Sequence, residues 1–158
     1  MTFIGLKINH KKKIKFYWLG LAVIFLFLSL DEMISIHESL IHVTRKKFDL
    51  SGLFYFSWVL PYGILLIVIS FVFFRFLINL PKKTLKLFVV SAIIYVGGAL
   101  GVELFEGKYF EEHGENLIFA IFYTIEESME MLGISIFIWA LLDYIAQNVG
   151  KVSIKLSR

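Results

Sequence analysis

The sequence predicts an all-α, integral-membrane fold: a four-helix transmembrane bundle with both termini cytoplasmic and short loops. Three observations predict it. Hydrophobic residues make up 58% of the 158-residue chain and aromatic residues 17%, with a mean hydropathy of +0.78, far above what a soluble domain of this size carries. Four apolar stretches, each long enough for the roughly 20 residues that cross a bilayer core, are separated by short polar segments. Lys and Arg are also divided unevenly between the two sides those stretches define. Twelve lie on the side of the termini (Lys7, Lys11, Lys12, Lys13, Lys15, Arg75, Lys82, Lys83, Lys86, Lys151, Lys155, Arg158) and four on the other (Arg45, Lys46, Lys47, Lys108), which places both termini inside.

The first span is expected over residues 16–40, with Phe16, Tyr17 and Trp18 anchoring its basic end. The basic, then apolar N-terminus resembles a signal peptide, but Asp31-Glu32 stands where a cleavage site would be, so the segment reads as uncleaved. The second span, 54–77, is nearly free of charge, and Pro61 inside it is expected to kink the helix. The third, 85–105, carries Gly97, Gly98 and Gly101, small residues that let helices approach closely. Residues 107–115 read as an acidic loop, with Glu111, Glu112 and Glu115 solvated ahead of the fourth span, 116–144. Trp58, Tyr55, Trp139 and Tyr144 are expected in interfacial belts, and Arg75 and Asp143 to snorkel at the inner end. These four spans leave no room for a second domain, so residues 1–158 form a single membrane domain. A bacterial-type plasma (inner) membrane is the expected location.

The charges inside the spans need a reason, because an ionisable side chain in hydrocarbon costs several kcal/mol even on lenient scales, about 2.5–3.5, and normally faces a cavity or a partner. At about 1.5 Å per residue from the cytoplasmic end, Asp31 and Glu130 stand near 21 Å, Glu103 and Glu126 near 27 Å, and Glu38 and Glu106 near 31 Å. Three helices thus bring carboxylates to one band. If the first span is an unbroken helix, Asp31, Ser35, Glu38 and His42 share one face and His37 points away. Tyr95, Ala99, Glu103 and Glu106 form a second stripe, and Tyr123, Glu126, Glu127 and Glu130 a third. Carboxylates so crowded cannot all be ionised, so protons or a cation must neutralise them.

Zero cysteines exclude disulfides, thiolate-bound metals and a thiol nucleophile, and no phosphate loop, Gly-x-Ser-x-Gly elbow or His-Glu-x-x-His motif is present. Nothing in the composition suggests nucleic acid; the lipid bilayer is the expected partner, together with a homo-oligomer or a membrane partner subunit. The residues that remain suit a site for divalent metal, iron, manganese or zinc, with Asp31, Glu38, His42, Glu103, Glu106, Glu127 and Glu130 as ligands. The inventory resembles that of carboxylate-bridged dinuclear bundles in ligand chemistry only, since those use Glu-x-x-His twice and this chain offers Glu38-x-x-x-His42 once. An enzyme acting on a lipid or other apolar substrate is one expectation. A cation or proton transporter subunit and a scaffold whose acids pair with a partner are the alternatives. Spans 1, 3 and 4 are almost wholly apolar below the acidic band, which offers no relay for transport.

Overall fold

A computed structural model describes residues 12–148, with the side chains of residues 12, 13 and 42 outside that description. Six α-helices make up the bundle: α1 (Lys12–Ile34), α2 (Ile36–Phe48), α3 (Val59–Ile78), α4 (Lys82–Val96), α5 (Glu103–His113) and α6 (Leu117–Asn148). A short 3-10 turn, Gly52–Phe54, precedes α3, and one π-helical segment, Gly97–Val102, joins α4 to α5 without a break in the rod. No strand occurs among the described residues. Four helices are long and apolar enough to cross a membrane: Ile14–Ile34, Val59–Ile78, Lys82–His113 and Leu117–Asn148. The protein is an all-α, four-helix membrane bundle.

The end of the bundle where α1 begins and α6 finishes is filled with rings. Trp18, fully buried, meets Phe76 edge-on at 5.1 Å and Tyr144 at 5.0 Å, while Phe137 stacks on Phe25 at 4.4 Å and packs on Phe88 at 4.7 Å. Such pairs contribute about 0.5–1.5 kcal/mol each beyond their burial. Lys83 and Asp143 form a 2.8 Å ion pair across the same end, so Asp143 has a partner where snorkelling was expected. The tightest helix packing lies between the third and fourth spans, and glycine permits it. A methyl at Gly133 would stand 2.7 Å from Tyr95 Cβ, and one at Gly98 would stand 2.9 Å from Met129 Cβ.

Four sequence expectations are corrected. The first span is not one helix to residue 40: it breaks at Ser35, which adopts a left-handed conformation (φ 47°). Pro61 does not kink the second span, because α3 begins at Val59 and the proline lies in the first turn, where its missing N–H breaks no intrahelical bond. Residues 107–113 are helix rather than loop, and the chain turns only at Gly114, whose φ of 67° suits glycine. That extension is braced from outside: Phe110 packs on Phe56 and Phe119, and Glu111 accepts the Gly52 backbone N–H. Trp58 is not in an interfacial belt but buried, 5% exposed.

Candidate functional site

Beyond the ring-filled end, the four spans part around a cavity of about 630 Å³, within the roughly 300–1,000 Å³ range of small-molecule sites. One part of its wall is apolar, with Ile24 and Leu28 from α1 and Leu65, Leu66 and Ile69 from α3. The other carries eight carboxylates, Asp31, Glu32, Glu38, Glu103, Glu106, Glu126, Glu127 and Glu130, and neither Lys nor Arg. His37 is the one basic side chain among the described lining residues.

Each helix delivers its acids by a local feature. The π-helical segment inserts a wide turn just ahead of α5, a distortion frequent at functional sites, and Glu103 and Glu106 then follow one turn apart on the same face. Gly98 lets this stretch press against the backbone of α6, where its missing Cβ would stand 3.0 Å from the Glu126 carbonyl. The consequence is a triad: one carboxylate oxygen from each of Glu103, Glu106 and Glu126 lies within 4.8 Å of those of the other two. Oxygens bound to a common divalent ion at about 2.0–2.6 Å are separated by no more than about 4–5 Å, so the triad has the span of an ion's ligand set. Glu103 and Glu106 are buried, 8% and 2% exposed. Trp58 Nε1–H donates to Glu103 Oε1 at 2.7 Å, whereas Glu106 Oε2 is buried with no donor. A buried carboxylate oxygen without a donor is costly unless a cation or proton completes it.

A second polar network lines the same cavity. The break at Ser35 turns α2 so that the His37 backbone N–H donates to Asp31 Oδ1 at 2.9 Å, and His37 Nδ1 lies 3.0 Å from Asp31 Oδ2. Tyr62 donates its hydroxyl to Asp31 Oδ1 at 2.9 Å. The His37 ring also packs on Trp58, centroids 4.7 Å apart, which links this network to Glu103.

Of the ligands expected from sequence, Asp31, Glu38, Glu103, Glu106, Glu127 and Glu130 all line the cavity. Only Glu103 and Glu106 belong to the tight triad. Asp31 is engaged by His37 and Tyr62, and Glu38 accepts from Ser35 Oγ at 3.2 Å. The His42 side chain lies outside the described residues. Glu127 and Glu130 line the cavity outside the triad. Sequence reasoning placed Glu126 on the acidic stripe but not among the ligands, turned His37 away, and built the acidic band from three helices without the second span, although Trp58 and Tyr62 both reach the carboxylates. The Ser35-x-x-Glu38 spacing, which marks helix starts, was the available signal for the break.

No curated protein and no solved structure matches the chain. The family described as Domain of unknown function (DUF8692) matches residues 3–145, and the chain belongs to that family.

Proposed function

We propose that the protein is an intramembrane metalloprotein whose divalent ion is held by Glu103, Glu106 and Glu126, beside a cavity that receives an apolar, membrane-borne substrate. The observation that carries the reading is the triad itself, three carboxylates from two helices within ion-ligand span, one of them with a buried oxygen lacking any donor. Iron, manganese and zinc suit the carboxylates with nearby imidazole, and such a centre supplies Lewis acidity, activated water or, with iron, oxygen chemistry. The protein's own part is to gather the acids, keep water from the apolar wall and orient what enters. Leu65 lies on that wall and is 44% exposed, so the wall offers apolar surface to a membrane-borne substrate. With eight lining acids and no lysine or arginine, the wall repels anionic head groups and suits neutral or cationic ones.

Metal analysis of the full chain, purified in mild detergent and then reconstituted with Mn²⁺, Fe²⁺ or Zn²⁺, tests the premise. About one ion per chain, lost in Glu106→Gln and Glu126→Gln, is the expected result. No stoichiometric ion after gentle purification, and none gained on reconstitution, would overturn it.

A further inference from the structure

We propose that the cavity takes an amphiphile whose head group carries a fixed positive charge, an alkylammonium, and that Glu127 and Glu130 receive that charge while the tail lies along the first and second spans. The inference rests on the cavity described above and deepens the substrate half of the proposed function. The lining changes character along the helix axes. On α1 it runs from Ile24 and Leu28 to Asp31, and on α3 from Ile69 and Leu65 to Tyr62, each over about 10 Å at 1.5 Å per residue. Ile24 and Ile69 also pack against the ring-filled core, so the apolar part is the deep part. The third span repeats the order, from Val96 and Leu100 to Glu103 and Glu106. A cavity apolar at one end and charged toward the other is complementary to an amphiphile rather than to a wholly apolar or wholly polar molecule.

The polar part has one sign. Asp31 has His37 as its partner, and the triad has its ion. Glu32, Glu38, Glu127 and Glu130 remain on the lining, and among the described residues none of the four is in an ion pair. Glu127 and Glu130 stand one turn apart on α6 and are half-buried, where a carboxylate prefers a cation to a neutral dipole. The want of positive charge reaches the fully buried wall as well: Glu106, 2% exposed, keeps an oxygen without a donor. A divalent ion there answers three carboxylates with two charges, so the lining stays anionic. Tyr62, Tyr95 and Tyr123 add ring surface to the same lining, and aromatic rings are the usual receptors of quaternary ammonium groups. An anionic head would be repelled, and a neutral one would leave the two acids unmatched.

The test uses the full chain in phosphatidylcholine nanodiscs and three probes that share one tail: hexadecyltrimethylammonium, hexadecanol and hexadecyl sulfate. Binding above that of empty nanodiscs is measured, and Mn²⁺ is counted in the same samples. Wild type should show one saturable site per chain, with the ammonium bound about tenfold or more tighter than the alcohol and the sulfate weakest. Replacing both acids, Glu127→Gln with Glu130→Gln, should weaken the ammonium about tenfold while leaving the alcohol within about twofold, which also reports an intact cavity. Bound Mn²⁺ with the alcohol or the sulfate bound as tightly as the ammonium overturns the head-group assignment and leaves the metal reading standing. Preference for the ammonium without bound Mn²⁺ overturns the metal centre and leaves this assignment standing. Saturable binding of none of the three overturns the amphiphile itself, and a preference that survives the double replacement overturns the role of Glu127 and Glu130. Because the order of the three probes on wild type alone can refute the proposal, it does not depend on any variant folding.

Discussion

Replacing Trp58 with Phe isolates one hydrogen bond at the centre of the site. The phenyl ring keeps most of the apolar contact with His37 and Tyr62, which lie 4.7 and 5.1 Å from the indole, but removes the Nε1–H that donates to Glu103 Oε1 at 2.7 Å. In soluble proteins, hydrogen bonds to charged groups contribute about 1.5–3 kcal/mol. Between membrane helices, measured values average about 0.6 and reach about 1.7 kcal/mol, because the unfolded helices also find partners. Glu103 is 8% exposed and sits beside two further carboxylates, so few substitute donors can reach it, and the upper part of the membrane range applies. A loss of about 1.5 kcal/mol is expected in chelator-treated protein, measured as reversible unfolding in mixed micelles. Trp139→Phe, at a position 57% exposed on the outer surface, is the control and should change stability by less than about 0.5 kcal/mol. If both substitutions cost the same, Glu103 is not held by this bond.

Glu130→Gln should leave the chelator-treated fold intact, since the amide keeps size and hydrogen bonding while removing a repelling charge, whereas Glu130→Leu leaves polar neighbours without a partner and should melt lower; equal losses in thermal melts would refute the crowding argument. Gly133→Ala should destabilise by about 1–3 kcal/mol by overpacking, because its Cβ would stand 2.7 Å from Tyr95 Cβ, while Gly63→Ala, with nothing within 4 Å, should be neutral or stabilising in the same assay. Ser35→Val should unfold at least about 1 kcal/mol more easily than Ser35→Gly, since a β-branched side chain tolerates a positive φ poorly; equal stabilities would mean the break is not fixed at Ser35. In proteoliposomes, Mn²⁺ and proton flux should equal that of empty vesicles, and flux abolished by Glu130→Gln would restore the transport reading.

The spans were legible because hydropathy follows the apolar length of each helix, and the gathering of the acids was legible because charges inside apolar spans need a common polar space, here one cavity. What failed was angle. Assigning faces across residues 16–40 assumed continuous helical phase, and the turn at Ser35 resets that phase, moving His37 from the far side onto Asp31. The π-helical segment Gly97–Val102 is equally silent in the sequence, where Gly97, Gly98 and Gly101 read only as close packing. Pro61 was misjudged for a related reason: a proline kinks an interior turn but is accommodated in a first one, so its meaning depended on a boundary that hydropathy places only to within a few residues. The role of the second span was hidden because Trp58 and Tyr62 are uncharged, and an aromatic with a polar tip reads as an interfacial anchor until its partner is known.

The two ends of the bundle carry opposed tasks. In lipid, apolar surface alone gives helices little reason to associate, so packing and polar contacts must hold them together. A cavity lined by eight carboxylates works against association, both by the contacts it forgoes and by repulsion. The compensation lies at the other end, where Trp18, Phe76, Phe88 and Phe137 are all buried among close ring contacts, and along the glycine-mediated contact of the third and fourth spans. That division also bears on function. The rings of Trp18, Phe76, Phe88 and Phe137 pack together at the end away from the carboxylates, which favours the ion-holding reading proposed above. Because the ion would bind only the folded bundle, its binding energy adds to stability as RT ln(1 + [L]/Kd), offsetting the repulsion at the end of the bundle that most needs it.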